Sequence, residues 1–339
     1  MILQGGNVLC LEIWKGSENV DPYLNCIQFG FSFGSFISPI IAEPFLCNKP
    51  ILEVSGNTIN PNVTEIQDIT KTNEDCFKDD YSISGMYILY PIIGLLTLIS
   101  SIGYFVYGMK SLKLKPNQEA AYENNDPTAI NDLETTNQPR DELIGQKVYK
   151  ILLVFTLLSF LFVYVGMEVL YGTYVATFAV ESELYLSRQQ AARVIATFWG
   201  SFAIMRFVSI FVAFRINAAN RLFLSFILCG IGSIILAFAA NKSFYILYTC
   251  SAVIGPGMAS MWCCAVLWVK NYVTITNRIG SFMIVASSMG ADLFLVLVGQ
   301  FISTYPMLLM YVIVLSVFLC LIISTFAFCI AKQLETNPL

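Results

Sequence analysis

Few residues in this 339-residue chain can do chemistry, and most of them stand inside long apolar runs. The first is Glu168, set in residues 147–180, KVYKILLVFTLLSFLFVYVGMEVLYGTYVATFAV. A run of that length spans a hydrocarbon core of about 30 Å. A carboxylate inside it costs roughly 2.5–3.5 kcal/mol on insertion scales, so the helix must turn it toward protein, water or a ligand. There it can ligate a cation through oxygen or accept hydrogen bonds from hydroxyl groups. The alternative is a protonated or salt-bridged Glu that only fixes helix packing. Gly166 and Gly172 flank it, where a neighbouring helix or a ligand can approach the backbone.

Two more ionisable residues read as buried in spans. Asp292, in SSMGADLFLVLVGQ, is a candidate for ion coupling, with a structural role as the equal alternative. Arg206, in FWGSFAIMRFVSIF, reads as a structural partner or as an arginine snorkelling to the cytoplasmic interface. Counted from the span ends, Glu168 falls in the outer half of its helix and Arg206 nearer the inner end, which predicts no direct contact. A polar face completes the set. Asn25, Gln28, Ser32 and Ser35 follow the helical three-and-four rhythm, either as the wall of a polar cavity or as small-residue packing. The segment Ile254-Gly255-Pro256-Gly257-Met258 interrupts a later span, because proline withdraws a donor from the helical ladder. Trp262 follows it; an indole stacks on sugar faces, and also simply packs.

Some chemistry is excluded. The chain has no histidine, so no imidazole base, triad or metal ligand. Its ten cysteines form no CxxC pair, which leaves zinc and redox chemistry unsupported. No acid–base or nucleophilic constellation appears, and the chain reads as a non-enzyme with no cofactor beyond a coupling ion. A net charge of −4 suggests no nucleic-acid partner.

These residues are positioned by helices in lipid. The chain is 56% hydrophobic and 12% charged, against about 25% charged in soluble domains. Its apolar runs are continuous rather than alternating, which predicts an all-α bundle of about eight complete transmembrane helices plus a partial one at the start. Residues 1–21 are too short to span and read as the remnant of a helix. Residues 22–109 hold two spans around a loop at 47–83, which carries the sequon Asn62-Val63-Thr64 and is therefore placed outside, as a glycoprotein. Cys47 and Cys76 flank that loop and can pair in an oxidising compartment. Residues 110–146 read as an acidic, disordered cytoplasmic linker, with Lys110, Lys113 and Lys115 marking the inner face. Residues 147–332 hold six spans, near 148–179, 190–214, 219–240, 244–270, 279–303 and 306–331, before a tail at 333–339. Both termini then fall in the cytoplasm, and the plasma membrane is the expected location.

Several segments resemble a known family. Gly5-Gly6-Asn7, Leu24-Asn25-Cys26-Ile27-Gln28 and Phe33-Gly34-Ser35-Phe36-Ile37-Ser38-Pro39 resemble the fourth and fifth helices of the fucose-permease-like branch of the major facilitator superfamily. Gly166-Met167-Glu168-Val169-Leu170-Tyr171-Gly172 and Thr177-Phe178-Ala179-Val180 resemble its seventh. The chain is most similar to the sodium-dependent glucose transporter group, and Met1 falls within the family's fourth helix. The resemblance implies a rocker-switch carrier with a central site for a glucose-like hexose, coupled to Na⁺ or another cation. It implies that Asn7, Gln28 and Glu168 line that site, with Asn25, Tyr171 and Trp262 as further substrate candidates and Glu168 and Asp292 as ion-coupling candidates. The family's aromatic–proline pair in the tenth helix is replaced here by Trp262-Cys263. The rival expectation is a shortened, non-transporting product that partners a full-length carrier.

Overall fold

In lipid the backbone must satisfy its own hydrogen bonds, and runs this apolar can do so only as helices. The computed structural model describes residues 20–43 and 140–336, with isolated helical positions at 91, 94, 95, 98 and 102. The chain divides into two compact units, residues 1–56 with 145–339, and residues 57–144.

The first unit is built from α1 (Val20–Ala42), α2 (Arg140–Glu181), α3 (Arg188–Val212), α4 (Ala218–Ala239), α5 (Phe244–Ala259), α6 (Met261–Lys270), α7 (Asn277–Gly299) and α8 (Leu308–Thr336). Taken with α5 and α6 as one run, seven stretches among the described residues are long and apolar enough to cross a membrane. The protein is an all-α, multi-pass membrane bundle. The further expected span at 84–109 lies largely outside the described residues, as does the partial helix expected at 1–21, whose last two residues, Val20 and Asp21, open α1. Each C-terminal span falls within a few residues of its expected limits. The exception is α2, which begins at Arg140 inside the stretch read as linker.

The helix boundaries follow local chemistry. Ser187 caps α3 in a capping box: its hydroxyl accepts from the Gln190 N–H while the Gln190 side chain accepts from the Ser187 N–H. Thr276 accepts from the Ile279 N–H at the start of α7. Ser243 accepts from the Tyr245 N–H at the start of α5. The break expected at Gly255-Pro256-Gly257 is corrected: α5 runs through that segment, and the helix is interrupted only at Ser260, whose backbone is still right-handed (φ −96°, ψ −13°), dividing α5 from α6.

α2 is the axis of the unit. Leu153, Leu157, Leu161, Tyr164, Met167, Leu170, Tyr171, Val175 and Phe178 are all buried along it, at three- and four-residue spacing. Its neighbours are α3, α5 and α7. Both flanking glycines admit helices, not ligand. A Cβ on Gly172 would stand 2.5 Å from the Trp199 ring of α3, and one on Gly166 would stand 2.8 Å from Phe294 of α7. α3 packs between α1 and α5, and α4 lies against α5, α6 and α8. Outward faces carry lipid-compatible side chains such as Ile204, Phe223, Phe238 and Phe282, all exposed.

Candidate functional site

The break at Ser260 sets up the site. A helix ending inside a membrane strands its last carbonyls, and two side chains from other helices take those of α5. Tyr164 of α2 donates its hydroxyl to the Met258 carbonyl at 2.9 Å, and Arg206 of α3 donates Nε to the Ala259 carbonyl at 3.2 Å.

Arg206 is the hub. Only 1% of it is exposed. Its Nη1 donates to the Gln28 carbonyl at 2.9 Å and also to Gln28 Oε1. Its Nη2 lies 3.7 Å from Glu168 Oε1. The guanidinium rests 4.4 Å from the centre of the Phe202 ring, an attractive cation–π contact. Four helices, α1, α2, α3 and α5, therefore meet at one buried charge. Of the two readings of this arginine, the buried ion pair agrees with the structural partner rather than the snorkelling side chain, and one expectation is corrected: it does touch Glu168. Depth counted from span ends ignores helix tilt, and the long arginine stem carries its charge away from its own Cα.

The polar face of α1 is turned inward as expected. Asn25, Gln28 and Ser32 are buried and Ser35 is half-buried. Asn25 donates Nδ2 to the Asp21 carbonyl and to Asp21 Oδ1, the latter at 2.6 Å, while its Oδ1 has no partner. Asp21 in turn forms an ion pair with Arg221 of α4. Ser32 donates to the Gln28 carbonyl. A second cross-helix tie, which the sequence did not suggest, thus joins α1 to α4 at the end where α1 begins.

The other candidates fare differently. Tyr171 is buried one turn beyond Glu168, and its hydroxyl is engaged. Ser251 Oγ donates to the Leu247 carbonyl, so Tyr171 donates to Ser251 Oγ at 2.7 Å. That makes it a tie between α2 and α5. Trp262 is buried at the start of α6, and its indole N–H has no partner. Asp292 corrects an expectation. It is exposed, because α7 presents Gly290, Phe294 and Val298 to the bundle and Asp292 lies out of phase with them. It is not brought to Glu168. Asn7, Asn62, Cys47 and Cys76 lie outside the described residues. Tyr164, missed from the sequence, stands four residues before Glu168 and so shares its face; that spacing was the available signal.

A cleft of about 770 Å³ between α1 and α3 lies apart from this chemistry. Phe29, Phe33, Phe36 and Phe207 line it, and the Glu43–Arg193 ion pair, 2.7 Å long, stands among its lining residues. Its walls are too apolar to recognise a polyol.

No family model matches the chain. It is similar to the protein named sodium-dependent glucose transporter 1 of Xenopus laevis, 26% identical over 302 residues, covering 89% of this chain and 55% of that one. The human protein of the same name is 27% identical over 304 residues, covering 89% and 54%. The chain spans about half the length of these curated relatives. Among solved structures, the Escherichia coli fucose:proton symporter has the same fold. In its outward conformation it superposes with a TM-score of 0.53 at 17% identity, covering 91% of this chain and 68% of that one. A single-residue variant of the same symporter gives 0.52 at 15%. In the arrangement of its spanning helices the chain shares the fold of this symporter, and in sequence it is similar to the sodium-dependent glucose transporters.

Proposed function

We propose that this protein is a secondary-active carrier of a glucose-like hexose, working by alternating access and coupled to a cation, Na⁺ being the first candidate. The observation that carries the reading is the buried cluster of Glu168, Arg206 and Gln28 at the break between α5 and α6. Carboxylate, guanidinium and amide together supply the donors and acceptors that a polyol requires. Asn25 Oδ1 and the Trp262 indole, both buried without partners, add an unused acceptor and an unused donor on α1 and α6.

The cluster also supports a coupling mechanism. Glu168 is an oxygen ligand suited to a small hard cation, and its occupant at present is Arg206 at 3.7 Å. That distance is long for a charge-assisted hydrogen bond, so the carboxylate is attracted but not saturated. A cation arriving at Glu168 competes with Arg206 and leaves the guanidinium to Gln28 on α1. Cation binding on α2 is thereby felt at the contact of α1 with α3. Asp292 remains a proposed second coupling carboxylate, acting apart from this cluster.

The test is uptake of radiolabelled hexose into vesicles holding the protein, with and without an imposed Na⁺ gradient. Glu168→Gln should abolish the Na⁺ dependence while exchange of sugar across the membrane persists. A well-folded Glu168→Gln protein with unchanged Na⁺ dependence and unchanged affinity would remove the residue from the site. Absence of any hexose transport by the wild-type protein would overturn the function itself.

A further inference from the structure

A second polar concavity lies at the end of α3 opposite the Ser187 cap, independent of the transport reading. It is a cleft of about 460 Å³ where α3 ends and α4 begins, and its lining includes Met205, Arg215, Asn217, Asn220, Arg221 and Leu224. Three features of it favour an anion. The first turn of the 22-residue α4 presents backbone N–H groups and the positive end of its dipole, and the N-cap Asn217 makes no side-chain capping bond with them. Arg215 is exposed at the cleft and makes no ion pair among the described residues. Arg221 is 4% exposed, and although its two terminal nitrogens are held by the Asp21 carboxylate, its buried Nε–H has no acceptor. A buried guanidinium N–H without a partner costs on the order of 1–3 kcal/mol, and a ligand oxygen would relieve it. Asp21 is the one carboxylate in contact with these groups among the described residues, and it offsets one of the two arginines.

The rest of the lining says what carries the anion. Ile216 and Leu224 are 42% and 48% exposed beside the arginines, and Met205 and Leu228 continue the apolar wall along the two helices. The cleft sits where two membrane-spanning helices end, and the ends of a span of bilayer length meet the headgroups. An anionic head over an apolar wall is the form of a phospholipid. We propose that this cleft is a binding site for the phosphate of an anionic phospholipid, held by Arg215, Arg221 and the first turn of α4, with an acyl chain against Leu224 and Leu228.

The site makes a demand on the Asp21–Arg221 pair. A phosphate on Arg221 competes with Asp21, so lipid occupancy weakens the tie between α1 and α4.

The test uses the whole protein in nanodiscs and two variants. Asn217→Asp puts a carboxylate in the cleft while keeping an equally favoured N-cap residue, so its fold is kept. Arg215→Gln removes the exposed cation. Thermal unfolding is followed in phosphatidylcholine alone and with added phosphatidylglycerol, and separately in phosphatidylcholine with inorganic phosphate at the same concentration. Phosphatidylglycerol should raise the wild-type midpoint, and about tenfold more of it should be needed for the same shift in either variant, the loss of one charge-assisted hydrogen bond. Equal responses of wild type and both variants to phosphatidylglycerol would overturn the site. A wild-type shift from inorganic phosphate matching that from phosphatidylglycerol would overturn the lipid and leave a free-phosphate site.

Discussion

Arg206 shows how much one residue can carry. It is fully buried, touches four helices and faces a carboxylate. Removing one partner of a buried pair costs about 3–5 kcal/mol, because the remaining charge is stranded. Arg206→Met should therefore lower the unfolding midpoint of the detergent-solubilised protein sharply. The double variant Arg206→Met with Glu168→Gln should recover most of that loss, which a scan of the single and double variants would measure. A recovery of less than a third would mean that the bonds to Gln28 and Ala259, rather than the charge pair, hold the cluster. At this scale the sequence was legible in part. An acidic residue within an apolar run announces itself, and so did the polar face of α1. The pairing of Glu168 with Arg206 did not, because contact depends on tilt and side-chain reach, and neither is written in spacing. The burial expected of Asp292 failed for the same reason: a charged residue in a span is visible at once, but which way its helix is rotated is set by packing at Gly290 and Phe294.

At the scale of elements, the packing of α5 against α3 positions the site, and it rests on a glycine. A Cβ on Gly255 would fall 2.2 Å from Ser201 Oγ and 2.7 Å from the Phe198 carbonyl. The serine hydroxyl can rotate away, but the carbonyl cannot without moving α3. Gly255→Ala should cost about 1–3 kcal/mol as an overpacked contact and shift Arg206 relative to Ala259. The expected outcome is a lower midpoint together with weakened hexose affinity, read by sugar-protected thermal unfolding. An unchanged affinity would separate the α3–α5 contact from the site. The Gly-Pro-Gly segment reads as a break because proline lacks a donor, yet α5 runs through it and the interruption falls at Ser260. What the broken end does, offering the Met258 and Ala259 carbonyls to Tyr164 and Arg206, required the neighbouring helices to be in place.

At the scale of the molecule, hydropathy located the spans to within a few residues, since span length is dictated by bilayer thickness rather than by partners. The start of α2 at Arg140 escaped, because the polar turns ahead of an apolar run read as linker until something continues the helix. The bundle also has an electrical property. Among the described residues, the buried Glu168 and Arg206 form one neutral couple, and the buried Arg221 with the part-buried Asp21 forms another. In the carrier proposed above, an unloaded form that reorients with both couples intact would drag no net charge from them through the transmembrane field. One bound cation changes that, adding a charge on which the field acts with about 2.3 kcal/mol per 100 mV. Hexose uptake should then accelerate when a potassium diffusion potential makes the vesicle interior negative, with the loaded step alone feeling the voltage. Glu168→Gln leaves Arg206 uncompensated, so its empty form should become the voltage-sensitive one, and an interior-negative potential should hinder the outward return of the binding site instead of speeding uptake. Potential-clamped flux of both proteins would read this directly: the neutrality of a buried ion pair would appear as the absence of a current.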